Sequence, residues 1–423
     1  MTRELSFDVL VVGAGPAGLA AAANAGRSGK RVALIDMQPN PGGQIWRPER
    51  GVQTHPKALA LWSACEDAGV EWLGGTTVLD ADSPTQLLAT GTGRTWRLRG
   101  ETVVVATGAR ERFVPFSGWE LEGVVGIGGL QALIKSGFDP TGKRIVIAGT
   151  GPLPLAVATT TIAYGGTIVA RLELASRSRV ATLLPTLLRN PSKLVELARL
   201  GPWPVPRFGR RVVGVKRSGA GLDVRVHGPA GEEVLECDIL ACGYGLVPQT
   251  RLARVLGCRV GAEGVWVDPL QRTSVPSVLC AGEPTGIGGE PLASLEGEIA
   301  GYVAGGDLEH AARLSRRRRR ARAFARALDK TFALGEARQP SPETIVCRCE
   351  GTTLAQVRPF SEARVAKLQT RCGMGPCQGR VCGPGLSHTQ GWSDIADLRP
   401  PLFPTPVGAL MELWSEPPQC PRQ

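Results

Sequence analysis

Five of the chain's eleven cysteines fall between positions 347 and 382, near its C-terminal end. Cys347-x-Cys349 precedes one predicted helix, and Cys372-x4-Cys377-x4-Cys382 follows it. Thiolates at this density can hold a soft metal or an iron–sulfur cluster. Structural zinc favours C-x2–4-C knuckles, so the C-x-C spacing is unusual for it. Two cysteine pairs from two loops flanking one helix suit the two irons of a [2Fe–2S] cluster. The expected ligands are Cys347, Cys349, Cys377 and Cys382, with Cys372 as a close neighbour. Gly373, Gly375 and Gly379 would let backbone N–H groups turn toward the sulfurs. Zinc and free thiols remain the alternatives on spacing alone.

A second kind of chemistry is written at the N-terminus. FDVLVV (7–12) reads as a buried strand, a turn with Gly13, Gly15 and Gly18 follows, and an alanine-rich helix starts at Ala17. The next strand, Val32 to Ile35, ends on Asp36, the position at which such units carry an acid. Gly13 permits the tight turn, Gly15 the approach of a pyrophosphate, and Gly18 close helix–strand packing. The helix N-terminus would hold the phosphate charge, and the Asp36 carboxylate would accept from ribose hydroxyls.

A near-copy runs from Arg144. Its strand leads to Gly149-x-Gly151, then to a helix and a strand ending on Glu173, so turn and acid are spaced as in the first copy to within one position. Pro154 replaces the third glycine, adding bulk where helix and strand should touch. The expected ligands of this second site are Gly149, Gly151 and Glu173. NAD(P), another adenine nucleotide such as ATP, or no nucleotide at all would be compatible with it.

These turns need a frame. The chain has 423 residues, enough for two or three domains. Its 43% hydrophobic and 21% charged content is that of a globular protein. Aromatics are only 5%, so aliphatic and alanine packing must carry the core. The expected fold class is α/β, two nested Rossmann-like dinucleotide-binding domains of the two-dinucleotide-domain flavoprotein type, plus a small C-terminal cluster domain. Residues 1–120 and 270–306 would form the FAD-binding domain and 121–269 the second, NAD-like domain. Residues 307–340 would be a basic helical linker, 341–398 the [2Fe–2S] domain and 399–423 a tail. Residues 181–210 read as an insertion or long loop.

The net charge of +11 owes much to the arginines at 313, 316–320, 322 and 326. A run of five points all round a helix, so it reads as a solvated or subunit-facing linker. No aromatic interleaving or recognition motif supports nucleic-acid binding. No apolar run is long enough to predict a transmembrane helix. An apolar strand beginning at Phe7 leaves no room for a signal peptide, and the expected location is cytoplasmic with reduced thiols.

Taken together, GAGPAG, PGGQIWR (41–47), ATGARER (106–112), GYGLVP (243–248), CAGEPTGIGGEPLASLEGEIAG (280–301) and CRCEG…TRCGMGPCQGRVC make the chain similar to a known family. Residues 5 to about 395 resemble the electron-transferring alpha or A subunit of bacterial amino-acid and opine dehydrogenases. That family includes the larger subunit of opine oxidase, the alpha subunit of D-hydroxyproline dehydrogenase and, more distantly, hydrogen cyanide synthase. The resemblance implies bound FAD and a C-terminal domain like bacterioferritin-associated ferredoxin. It also implies a smaller flavin-containing subunit that oxidises the substrate, with a third small subunit in some members, and an electron acceptor. By position it implies FAD contacts at Gly13, Gly15, Gly18, Asp36, Gly43, Gln44, Thr107, Gly108, Gly282 and Glu283. Asp36 stands where Glu is commoner and Glu283 where Asp is usual. GEPTGIGG is typical of the opine and hydroxyproline branch.

Three functions compete on the sequence. In the first, a partner subunit takes electrons from a secondary-amine substrate (D-hydroxyproline, proline or an opine), and they pass through FAD and [2Fe–2S] here to an acceptor. In the second, the chain is a self-contained NAD(P)H-dependent reductase; Pro154 speaks against this and Glu173 for it. In the third, it is a non-enzymatic metal-binding redox protein. PGGQIWR and residues 121–171 lack the paired cysteines of a disulfide reductase, and Cys237-x4-Cys242 reads as strand core. His55, His227, His310 and His388 belong to no motif, so no catalytic acid–base residue is expected on this chain.

Overall fold

The structure, a computed structural model, describes residues 2–190, 204–335, 340–392 and 398–414. The chain divides into two compact units, one of residues 1–110, 248–325 and 398–423, the other of 111–247 and 326–397.

The first unit is built on a seven-stranded sheet. Strands Glu71–Gly74, Val32–Asp36, Thr2–Val12 and Arg94–Val105 run in that order and in parallel. The hairpin strands Gln86–Gly91 and Thr77–Ser83 continue antiparallel from Arg94–Val105. Val278–Cys280 pairs in parallel with the end of that same long strand. Helix Pro16–Arg27 buries every residue from Ala17 to Gly26, which an alanine surface permits because it lets backbones approach. Helix Glu290–Gly305 uses that closeness: a Cβ on Gly297 would lie 2.1 Å from the Ala17 carbonyl oxygen, and one on Gly301 2.5 Å from that of Ala21. The low aromatic content is thus expressed as helix–helix packing through Ala and Gly.

The second unit holds a five-stranded, all-parallel sheet in the order Arg207–Phe208, Thr167–Glu173, Arg144–Gly149, Ile239–Gly243, Val124–Gly126. A three-stranded antiparallel sheet, Arg211–Ser218, Gly221–Gly228 and Gly231–Cys237, packs with it. The same unit carries the cysteine segment: a short hairpin, Ile345–Cys347 with Thr352–Thr353, and helices Leu354–Val357, Ala363–Thr370 and Cys382–Gln390. Val346, Leu354, Val357, Ala366, Leu386 and Trp392 form its core around Cys347, Cys372 and Cys382. Trp119, fully buried, donates its indole N–H to the Ile345 carbonyl.

Three boundaries differ from those read in the sequence. The chain returns to the first unit at Pro248 rather than near 270. The cause is Arg251–Val255 and the turn after it, which put Leu252, Ala253, Leu256 and Cys258 into the core of the first sheet. The segment from 399 is not a free tail over its described part. Leu402 N–H donates to the Leu79 carbonyl (2.8 Å), Glu412 accepts from the Thr95 hydroxyl (2.7 Å), and Leu413 is buried against Leu79 and Leu88. Nor is the arginine-rich segment a solvated linker throughout. Helix Leu308–Thr331 directs Arg318 and Arg322 onto the wholly buried Glu296 carboxylate, at 2.9 and 2.5 Å. Within the 181–210 insertion, Leu184–Leu188 is helical and Arg207–Phe208 joins the parallel sheet. Residues 191–203 of that insertion, 415–423 of the tail, and with them Cys420, lie outside the described residues. Among the described residues no helix is long and apolar enough to cross a membrane.

Candidate flavin and iron–sulfur sites

The first glycine turn closes under tight steric limits. Gly13 has φ +107°, and a Cβ there would lie 2.3 Å from the Ala106 carbonyl oxygen. Gly18 lies so near the strand end that a Cβ would sit 1.6 Å from the Gly13 oxygen. Asp36 closes the turn from the neighbouring strand, accepting from the Ala14 N–H (2.6 Å) and the Gln38 N–H (2.7 Å). Burial raises its pKa, and these two N–H groups pull it back down.

The other flavin candidates converge on this turn. The loop at 41–47 folds back so that Gly42 N–H donates to the Ala14 carbonyl (2.8 Å), and a Cβ on Gly43 would lie 2.9 Å from Gly15 Cα. Thr107, next to Ala106, donates its hydroxyl to the Gln249 carbonyl (2.8 Å), while the Gly108 carbonyl accepts from Gln249 N–H (3.0 Å). Gly282 meets helix Pro16–Arg27 at Ala17, where a Cβ would be 2.8 Å from the alanine methyl. Glu283 accepts from Gly289 N–H through Oε1 (2.8 Å), but its buried Oε2 has no hydrogen-bond partner among the described residues. Gln44 is the exception; it is exposed and accepts from Arg47 (2.7 Å).

A side-chain-free glycine cradle and an orphaned buried carboxylate oxygen are what a dinucleotide with a hydroxyl-bearing chain would complete. The residues therefore fit FAD. Gly15→Ala separates binding from folding. The new methyl would meet only Gly43 Cα, at 3.9 Å. We expect a stability loss of about 1 kcal/mol or less, the helix N-cap cost of alanine, with flavin affinity down roughly tenfold or more because the phosphate face is blocked. Flavin retained after dialysis, read beside a thermal melt, checks this. Gly18→Ala, by contrast, should leave little folded protein.

Sequence reasoning missed what holds the Gly282–Gly289 loop. Glu296 Oε2 accepts from Gly282 N–H (3.0 Å) and the Thr285 hydroxyl (2.9 Å), and Arg322 donates to the Gly286 carbonyl (2.9 Å). The signal available was a glutamate in an otherwise apolar helix face, since a charge there needs a partner.

The second glycine turn repeats the glycine spacing of the first but not its backbone: Gly151 has φ +90°, where Gly15 has −77°, and the helix starts at Leu153, one position later in the pattern. A Cβ on Gly149 would lie 2.0 Å from the Gly243 carbonyl oxygen. Glu173, 7% exposed, accepts from Thr150 Oγ1 (2.9 Å), Ala175 N–H (2.8 Å) and Gly151 N–H (3.1 Å). Pro154 is buried in the first turn of helix Leu153–Ala163. The open side of Gly151 faces Phe332, whose Cβ and Cγ would lie 3.7 Å from an added methyl.

The cysteines gather as a cluster. The Sγ atoms of Cys347, Cys372 and Cys382 all lie within 4.8 Å of one another, and all three residues are buried. Cys372, expected as a neighbour, stands inside this group. Cys377 interacts electrostatically with Cys382 and with the exposed Cys349, which places these two thiols beside the buried three. Hydrogen bonds from Cys372 and Cys382 hold the Cys347 thiol far below its usual range, and Cys382 pushes Cys377 down to about 5. Cys382, crowded by Cys347, Cys372 and Cys377, is pushed up. Buried sulfurs crowded in this way could hold a metal ion or a cluster. Gly373 N–H points to Cys347 Sγ (3.4 Å), and a Cβ on Gly375 would collide with Cys349 Cβ at 2.2 Å. Cys237 and Cys242 are buried in the core of the second unit, with burial pushing Cys237 up to about 11, as inert strand cysteines should be.

Residues 7–297 match the pyridine nucleotide-disulphide oxidoreductase family. The A subunit of opine oxidase from Rhizobium meliloti is 32% identical, over 96% of this chain and 99% of that protein. Hydrogen cyanide synthase subunit HcnB of Pseudomonas protegens is 31% identical, over 96% and 97%. Among solved structures, L-proline dehydrogenase from P. horikoshii superposes with a TM-score of 0.67 at 18% identity, covering 97% of this chain and 80% of that one.

Proposed function

The chain belongs to the pyridine nucleotide-disulphide oxidoreductase family, and on that premise we propose that it carries FAD and a [2Fe–2S] cluster and relays electrons from a secondary-amine amino acid oxidised on a partner subunit. It is a flavin oxidoreductase subunit of the opine oxidase and hydrogen cyanide synthase type. D-Hydroxyproline, proline and opines are the proposed substrates, and a smaller flavin-containing subunit is the proposed partner.

The observation that carries this reading is the convergence of buried thiols in a chain that also folds a flavin cradle. A flavin exchanges electrons singly or in pairs and an iron–sulfur cluster singly, so the two together can split a substrate's electron pair. The protein's part is binding and placement. The Gly13–Gly18 turn and the helix behind it receive the pyrophosphate, and Asp36 takes the ribose hydroxyls. Glu283 offers its unpartnered oxygen to a hydroxyl of the flavin chain. Cys347, Cys349, Cys377 and Cys382 are the proposed cluster ligands, with Cys372 pressed against two of them. Neither the loop at 41–47 nor residues 121–171 carries a cysteine, which argues against disulfide chemistry at the flavin.

The test is co-expression with the products of neighbouring genes, followed by dye-linked assay with D-hydroxyproline, proline and opines. The purified complex should contain FAD, iron and labile sulfide, and at least one of these amines should reduce the dye. Failure of all of them would sink the assignment.

A further inference from the structure

We infer that Phe332 closes the second nucleotide fold, so that this chain accepts no electrons from NAD(P)H and its flavin is fed only through a partner. The inference deepens the proposed function, since it rests on the donor being a partner subunit.

The two glycine turns of the chain can be compared position by position. By spacing, Gly151 in the second corresponds to Gly15 in the first, the glycine whose missing side chain lets a pyrophosphate reach the helix N-terminus, although its φ is +90° where that of Gly15 is −77°. Each is covered from above by another part of its own unit. Gly15 is covered by a glycine: its added methyl would meet Gly43 Cα at 3.9 Å, with no side chain beyond it. Gly151 is covered by a benzyl group, with Cβ, Cγ and Cδ2 of Phe332 at 3.7, 3.7 and 4.0 Å from a methyl added to it. The ring thus lies at van der Waals distance from a methyl added to Gly151 and borders the side of the turn that a phosphate would have to enter.

Polar contacts fix the ring there. Phe332 follows directly on helix Leu308–Thr331, and its N–H still donates to the Leu328 carbonyl (2.9 Å). Its own carbonyl lies 3.2 Å from Thr150 Oγ1, within the glycine turn itself. That hydroxyl is also 2.9 Å from Glu173 Oε1. The acid that would accept from a ribose is thus more enclosed than Asp36, with three donors from its own chain instead of two. Pro154 adds bulk at the first helical turn. Turn, acid and entry are all occupied by the chain itself.

The experiment uses the flavin-loaded full chain with its partner and reads nucleotide binding, without any amine present. NADH, NADPH and ATP are the probes. At about 1 mM, the upper end of ordinary cofactor affinity, the wild-type protein should bind none of them in equilibrium dialysis. NADH and NADPH should also leave the flavin oxidised under anaerobic conditions. Phe332→Gly should gain binding of at least one probe by roughly tenfold or more. Phe332→Ala removes the ring without loosening the backbone and should show the same gain, so the result survives if the glycine variant folds poorly. Phe332→Trp should stay closed. Sub-millimolar binding by the wild type, or binding by the glycine and alanine variants no stronger than wild type, overturns the inference. Loss of amine-dependent dye reduction with these binding results intact would instead count against the proposed function alone.

Discussion

Replacing Glu296 by Gln should lower the melting temperature of the protein by roughly 6–20 °C and release most of its flavin. The carboxylate is wholly buried and meets Arg318 and Arg322, whose side chains are 15% and 11% exposed. Removing one partner of a buried ion pair costs about 3–5 kcal/mol, because the remaining charges are left in a poor solvent for them. Near the melting point of a unit of this size, 1 kcal/mol corresponds to about 2–4 °C. The flavin effect has a local cause. Gly282, Gly286 and Gly289 have φ of +79°, +130° and +77°, a run of conformations with little preference of its own. Glu296 and Arg322 supply the hydrogen bonds that fix this run: to Gly282 N–H, the Thr285 hydroxyl and the Gly286 carbonyl. Without them the Glu283 carboxylate loses its aim. Arg313→Ala is the control. Arg313 pairs with Glu309 on the exposed side of the same helix, and such pairs contribute about 0.5 kcal/mol or less. A Glu296→Gln protein with unchanged melting and full flavin content would refute the clamp.

The clamp also shows where the sequence stops being readable. Both βαβ units were legible because each is a local pattern: strand, glycine turn, helix, strand and acid in one short stretch of chain. Asp36 and Glu173 accordingly reach their own turns. Arg318 and Arg322 were not legible, because in a run of arginines nothing distinguishes the two that face inward from those that face water. Their partner is set by how helix Leu308–Thr331 packs on helix Glu290–Gly305, where Ala311 joins Leu295 and Ile299. The same limit hid the contact of Phe332 with Gly151, a turn far earlier in the chain. It also misplaced the return of the chain, since Leu252 and Leu256 show a helical spacing that says nothing about which sheet they cover. Spacing fixed that the five cysteines gather; it could not say that Cys372 would lie among the innermost three.

That arrangement makes Cys382→Ser the most damaging single change to the cluster. Cys382 stands among the three innermost sulfurs with Cys347 and Cys372, and it interacts with Cys377 as well. It also begins helix Cys382–Gln390, which buries Leu386 in the core of the segment. Serine preserves size and helix but is a far weaker ligand for iron than a thiolate. The expected product keeps its flavin, loses nearly all iron and labile sulfide, and reduces a dye with amine at a small fraction of the wild-type rate. Flavin retention is the internal control, since the Gly13–Gly18 turn belongs to the other unit. Parallel changes at Cys349 and Cys372 decide the fourth ligand. If Cys347, Cys349, Cys377 and Cys382 hold the cluster, Cys349→Ser loses iron and Cys372→Ser keeps it, with a shifted reduction potential because a sulfur packed beside two ligands is replaced by a hydroxyl. Iron lost from Cys372→Ser and kept in Cys349→Ser would move the ligand set inward to the three buried sulfurs and Cys377. Full iron in Cys382→Ser would remove Cys382 from the ligand set, and iron lost with unchanged amine-to-dye turnover would remove the cluster from the electron path altogether.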